Sequence, residues 1–237
     1  MRVVAAFKVV ADESMIKVVG GTVNLAVPKK LSDYDRNAIE QALRVREENG
    51  GSVIGITVGE TDRRVIREAL AMGLDEVIAV EAQGVDALAT AEVLAEEIKG
   101  SDLIIMGESS TDAGNSAVPS MVGEILGLPS LTFVRSIRVS QGKVLAERDL
   151  GNELEVVEAD LPAVISVTGE INSPRLPKIK QVIESSKKPV KVKRVEVKSR
   201  IEVKSLQSFQ TKRKRVVLEG DVRDQVREVL QLLRGSL

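Results

Sequence analysis

An α/β fold built on a mostly parallel, doubly wound sheet is predicted by three observations. Five short apolar runs rich in β-branched residues, at 3–7, 53–58, 77–80, 103–106 and 131–134, show no polar alternation, as expected of strands covered on both faces. Helical periods with short connections lie between them, which favours parallel strands joined by helical crossovers. After Val134 the pattern changes to hairpins, adding an antiparallel portion to the same sheet.

The first helix is expected to open at Ser32, because Ser32 and Asp35 have the spacing of a capping box. Ile39, Ala42, Leu43 and Arg46 mark its faces, and Gly50-Gly51 stops it. A second helix runs from about Thr61 to Gly73 with Val65, Ile66, Ala69, Leu70 and Met72 turned inward. The third starts near Asp86, carries Leu88, Ala91, Leu94, Ala95 and Ile98, and stops at Gly100. The fourth occupies roughly residues 114–126 and ends at Gly127, before Pro129. In the antiparallel portion, residues 137–139 and 144–146 flank a turn at 140–143, with further strands at 154–157 and 163–167. From Pro174 to Arg215 no core-forming period persists. The chain therefore divides into a domain over 1–188 and, over 189–237, a basic extended arm ending in a helix from about Asp221 to Arg234. Val222, Val226, Val229, Leu230 and Leu233 lie on one side of that helix.

Composition narrows the chemistry. Apolar residues make up 43% and charged residues 29%, which suits a globular chain. There is no Cys and no His, so thiol nucleophiles, disulfides, imidazole bases and most zinc sites are excluded together. One Tyr, three Phe and no Trp leave little on which single-stranded nucleic acid could stack. No apolar stretch approaches the ~20 residues of a membrane span, and the opening segment is too short for a signal peptide. The cytoplasm is expected, without stable membrane insertion. Twelve Lys or Arg against two Glu fall within residues 187–215, so a basic tail follows an acidic body. Valines alternate with charge from Val190 to Val203, which fits an arm lying on a protein partner better than a nucleic-acid grip. Lys212-Arg213-Lys214-Arg215 alone leaves the second reading open.

Ligands of such sheets sit beyond the carboxyl ends of the strands, here residues 8–12, 58–60 and 107–115. Neither a G-x-G-x-x-G fingerprint nor a P-loop is present. Instead, Gly107 directly follows a strand, and the residues up to Val118 are small and polar. Amides at the start of the fourth helix would then favour an anion such as phosphate; a capped strand-helix loop accounts for the same residues equally well. Asp12, Glu60 and Asp112 share this edge, but nothing nearby supplies the burial or the matched partner of an acid/base pair or a magnesium site. No catalytic side chain and no metal ligand is assigned.

Several segments in the same order resemble the beta subunit of electron transfer flavoproteins: residues 67–75, 107–133 with Gly127-Leu128-Pro129, 161–167, Asn172-Ser173-Pro174-Arg175 and Lys187-Lys188-Pro189. The resemblance runs from Met1 to about Lys193. It implies an adenine-nucleotide-binding, Rossmann-like core and a heterodimer with a larger alpha subunit, whose FAD exchanges electrons with flavin-dependent dehydrogenases. It also implies that the beta subunit holds AMP, or a second FAD in electron-bifurcating members.

Carried onto this chain, the nucleotide contacts fall at Ala6, at Ser32, Asp33, Tyr34 and Asp35, at Val58 and Gly59, and from Gly107 through Ser109, Asp112, Gly114, Asn115, Ser116 and Ala117 to Val118. The chain departs from the family pattern in three places. Ser32-Asp33 replaces Asn-Pro, Ser109-Ser110-Thr111-Asp112 replaces Gln-Ala-Ile-Asp, and Ala117-Val118 replaces Gln-Thr or Gln-Val. Phosphate contacts must then lean on backbone amides, Ser116 and Asn115. Asp86-Ala87-Leu88-Ala89-Thr90 resembles the Asp-Thr-Leu-Ala-Thr of members with a second FAD, with one hydroxyl missing at Ala87. The lean is towards FAD, with AMP as the alternative; an N-cap role for Asp86 and an ordinary helical role for Thr90 need no ligand. Ile179, flanked by Lys178 and Lys180, stands where the family anchors a partner dehydrogenase. The competing class is a freestanding adenine-nucleotide-binding regulator of the universal-stress type. That class normally ends soon after the fifth strand, and the extra hundred or so residues favour the subunit.

Overall fold

The five apolar runs form the parallel strands expected of them. The computed structural model describes residues 1–19, 21–208 and 215–234; Lys212, Arg213 and Lys214 of the basic cluster lie outside the described residues. In chain order, β1 (Arg2–Ala6) is followed by β2 (Val9–Ala11), β3 (Lys17–Val19), β4 (Thr22–Asn24) and β5 (Lys29–Leu31). These last four make two short antiparallel pairs, β2 with β5 and β3 with β4. Then come α1 (Asp33–Asn49), β6 (Ser52–Gly59), α2 (Arg63–Met72), β7 (Glu76–Glu81), α3 (Ala87–Glu97), β8 (Leu103–Gly107) and α4 (Val118–Leu126). Next are β9 (Ser130–Ser140), β10 (Lys143–Asp149), β11 (Leu154–Asp160), β12 (Ala163–Val167), α5 (Ile179–Ser185) and β13 (Val190–Arg194). All of these belong to one compact unit, Met1–Leu206; a second unit, Gln207–Leu237, holds α6 (Val222–Arg234).

One sheet has the order β11-β10-β9-β12-β8-β1-β6-β7-β13. The strands from β9 to β13 in that order are parallel, and β10 and β11 run antiparallel at one edge. Alternate residues of each strand face opposite layers. Val3, Ala5, Leu103, Ile105 and Ile165 pack with Ile39 and Leu43 of α1 and Leu70 and Met72 of α2. Val4, Ile54, Ile56, Ile104 and Val164 pack with Ala91 and Leu94 of α3, with Ile98, and with Val122 of α4. Fully buried aliphatic side chains such as Ile39, Ile56 and Ile104 each stabilise the fold by about 1.5–3 kcal/mol. From β1 the chain proceeds through β6 and β7 on one side, then returns to β8 on the other. The topological switch lies between β1 and β8, and a crevice opens there at the carboxyl ends.

Four local expectations are corrected. The fourth helix starts at Val118, because Gly114 and Ser116 take left-handed backbone angles (φ 60° and 50°) that interrupt a helix. Residues 190–194 are an edge strand of the chain's own sheet beside β7, with Val190 opposite Val77, and not the start of the extended arm. Their exposed Lys191 and Lys193 pair with Glu76 and Glu97, a pattern that discourages further edge pairing. Residues 179–185 form α5, where Ile179, Val182 and Ile183 fall at helical spacing within a stretch expected to hold no core-forming period. The Ser32 and Asp35 side chains make no capping box: Ser32 stands at the N-cap of α1 without a side-chain cap bond.

Candidate functional site

A cavity of about 800 Å³ lies at the switch point, walled by the ends of β1, β6 and β8, the 108–117 loop and the start of α3. Its base is organised by Asp35. One carboxylate oxygen of this buried residue accepts the Lys8 amide at 2.8 Å, just beyond β1, and the other accepts the Gly107 amide at 3.2 Å, at the end of β8. Burial pushes the Asp35 carboxyl up to about 7, against the pull of these two amides and the Lys8 charge. Ser32 also turns to the sheet edge, where its Oγ accepts the Thr111 amide at 3.3 Å. Both side chains thus serve backbone donors far away in sequence, which is why the expected capping box does not form.

Gly107 passes so close to α1 that a Cβ there would lie 2.5 Å from Asp35 Oδ1 and 2.8 Å from Tyr34 Cβ. Beyond it, the chain lines the cavity with small side chains. The N-cap of α4 is Ala117, which has no side-chain oxygen and makes no side-chain cap bond, and Pro119 occupies the first turn. The first amides of α4 are therefore left to solvent or to a ligand. Asn115 Oδ1 accepts the Ala117 amide at 3.3 Å, so its amino group is what that side chain can offer as a donor. Lys8 and Asp112 pair at 2.8 Å beside the loop. Burial works against the charged form of Asp112, but the Lys8 ammonium and the Ser110 hydroxyl outweigh it and hold the carboxyl below its ordinary value. Glu108 is pushed up by burial and by the neighbouring Glu170 carboxylate.

Of the residues expected at the site, Ala6, Asp35, Val58, Asp86, Thr90, Gly107, Ser109, Asn115, Ser116, Ala117 and Val118 line the cavity. The others stand behind or beside it. Ser32 supports Thr111, and Tyr34 packs beneath Gly107. Asp33 pairs with Lys30 at 3.0 Å, Asp112 pairs with Lys8, and Gly59 and Gly114 take positive φ where the chain turns. Asp86 caps α3 by accepting the Ala89 amide at 2.8 Å, and Thr90 Oγ1 donates to the Asp86 carbonyl at 2.8 Å. Asp12 is occupied by Ser14 and Glu60 by Lys29, each with its own local partner.

Sequence reasoning missed Phe7, Val85 and Met106, and above all Ser199, Ile201, Glu202 and Val203, which also line the cavity. No spacing signal links residues near 200 to α3, more than a hundred positions earlier. Away from the cavity, Ile179 opens α5 and is 82% exposed, beside the exposed Leu176 and Ile183. Lys178 stands at the N-cap of α5, and Lys180 lies 3.8 Å from Glu184. Before this segment, Arg175 reaches back to α1 and bonds Glu40 at 2.7 Å and Glu47 at 2.6 Å.

Residues 20–198 match the electron transfer flavoprotein domain. The chain belongs to the electron transfer flavoprotein family. It is similar to the electron transfer flavoprotein subunits beta of Mycobacterium bovis and Mycobacterium leprae, at 38% identity over 174 residues, which is 68% of this chain and 65% of each of theirs. To the subunit beta of Thermoanaerobacterium thermosaccharolyticum it is 33% identical over 202 residues, 81% of this chain and 78% of that one. The chain thus spans slightly under two thirds of the length of the mycobacterial relatives that it matches. The flavoprotein domain match covers the cavity loop, α5 and β13 together. Among the described residues of this family member, no helix is long and apolar enough to cross a membrane.

Proposed function

We propose that the chain is the beta subunit of a heterodimeric electron transfer flavoprotein. In this reading it works in the cytoplasm, holds an adenine nucleotide at the switch-point cavity, and helps carry electrons between flavin-dependent dehydrogenases and downstream acceptors. The observation that carries the reading is the uncapped start of α4 behind a loop of small residues, in a chain of this family. Amides without a cap suit a phosphate, and a cavity of about 800 Å³ lies within the range that small ligands and cofactors occupy. Ala6 and Val58 would give an apolar wall, the Gly107 to Val118 loop the phosphate donors, and Lys8 a nearby cation. With neither Cys nor His in the chain, electron exchange would belong to bound flavin, while the protein binds, orients and shields it.

Asp86 and Thr90 both line the cavity, and their resemblance to the pattern of members with a second FAD supports FAD over AMP in this site, and with it electron bifurcation. The exposed apolar row of Leu176, Ile179 and Ile183, flanked by Lys178 and Lys180, supports dehydrogenase docking at Ile179. The exposed Val226, Val229, Leu230 and Leu233 of α6 support contact of the C-terminal unit with an alpha subunit. Co-expression with an electron transfer flavoprotein alpha subunit, followed by release of bound nucleotides, tests the reading. Two FAD per heterodimer are expected. One FAD plus one AMP would keep the site and reject the flavin. A monodisperse chain that associates with no such alpha subunit would reject the subunit reading in favour of a freestanding nucleotide-binding regulator.

A further inference from the structure

Ser199, Ile201, Glu202 and Val203 contribute to the cavity wall, yet Ile201 and Val203 are 69% and 72% exposed. Residues that both line a cavity and face water form its outer rim. What ties this rim to the rest of the wall is one carboxylate with divided duties. Asp86 Oδ1 accepts the Ala89 amide and caps α3, whereas Oδ2 accepts Ser199 Oγ at 2.9 Å, the Arg200 amide at 2.6 Å and the Ile201 amide at 3.1 Å. Hydrogen bonds to an ionised acceptor are roughly twice as strong as neutral ones. The donors from Ala89 and Arg200 are the largest of the influences that hold the Asp86 carboxyl down at about 2, so it remains charged at neutral pH. The nearby Arg200 to Glu92 pair joins two exposed side chains at 3.4 Å and adds little.

We propose that residues 199–203 are a strap over the outer rim of the cavity, and that Asp86 Oδ2 is the latch that holds it and sets how long a nucleotide is retained. The inference rests on the nucleotide reading above. It makes Asp86 a positioning residue that acts through the strap, apart from any contact of its own with a ligand.

The test compares release of FAD and of AMP from the full chain, by dilution into excess competitor, in parent and variants. Asp86→Asn keeps an oxygen for the Ala89 amide, since Asn caps helices as well as Asp, but sets an NH2 group against three donors. Arg200→Pro deletes one of those donors at a residue that does not line the cavity, and Arg200→Ala retains the amide while losing the Glu92 pair. Asp86→Asn and Arg200→Pro should release nucleotide at least about tenfold faster while remaining folded at the assay temperature, and Arg200→Ala should behave as the parent. Parent-like release from Arg200→Pro would overturn the strap, even if Asp86→Asn were fast, because Asp86 would then act by direct contact. Fast release from Arg200→Ala would overturn it equally. A parent that binds neither FAD nor AMP would reject the nucleotide reading itself, and the strap with it.

Discussion

Asp35 and Gly107 are 72 residues apart in the chain and meet at the switch point, where the Gly107 amide donates to Asp35 Oδ1 at 3.2 Å. The contact requires glycine for lack of space, since a Cβ at Gly107 would lie 2.5 Å from that oxygen and 2.9 Å from the Tyr34 carbonyl carbon. Gly107→Ala is expected to destabilise the chain by about 1–3 kcal/mol, measured as a lower denaturant midpoint, because α1 must shift away from β8. A variant as stable as the parent would show that this contact relaxes freely.

Asp35 also makes stability depend on pH. Its carboxyl titrates at about 7 in the folded chain against an ordinary value of 3.8, so between those values the folded state binds more protons than the unfolded one. Stability from this group is therefore fully present below about pH 4 and is lost as pH rises through about 7. Urea midpoints measured from about pH 5 to about pH 8 should fall more steeply in the parent than in Asp35→Asn. Parallel profiles would place the titration of Asp35 elsewhere.

The sequence made the central layers legible because burial on both faces leaves continuous apolar runs, and because Gly50, Gly73 and Gly127 mark helix ends. What it concealed depends on distant partners or on exposure. The three-residue strands β2 to β5 are too short to show a period, and β3 and β4 are largely exposed. The alternation of valine and lysine over 190–194 suits an arm and an edge strand alike, and pairing with Val77 and Ile78 decides for the strand. Ser32 and Asp35 show the spacing of a cap, yet their acceptors turn to Thr111, Lys8 and Gly107. The cavity loop was readable from its small residues. The strap was not, because Asp86 selects it across 113 to 115 positions.

Arg175 anchors the exposed 176–183 segment to α1. Burial works against the charge of Glu40, but the Arg175 and Arg44 guanidinium groups outweigh it and hold its carboxyl below the ordinary value. Arg175→Met should cost about 1–3 kcal/mol by leaving the buried Glu40 with Arg44 as its remaining cation, and should also slow electron transfer to a partner dehydrogenase. Arg175→Lys should recover little, since an ammonium cannot span Glu40 and Glu47 as the guanidinium fork does. Full recovery by lysine would show that charge alone suffices.

Truncation after Leu206 removes the second unit and spares β13. The remaining chain should fold, with a denaturant midpoint close to that of the parent, and should lose stable association with the alpha subunit in size-exclusion chromatography. Tight association of the truncated chain would move the interface into Met1–Leu206.

The claim that the cavity between β1, β8 and α4 holds an adenine nucleotide is tested most directly by filling it. Ala117 lines the cavity at the N-cap of α4 and makes no side-chain cap bond, so Ala117→Trp occupies the space in front of the helix amides without removing an interaction of the fold. The measurement is the adenine nucleotide bound per purified chain in parent and variant, at matched melting temperature. The parent should carry one nucleotide per chain and the Ala117→Trp variant almost none; equal occupancy in the two would contradict the assignment of the cavity.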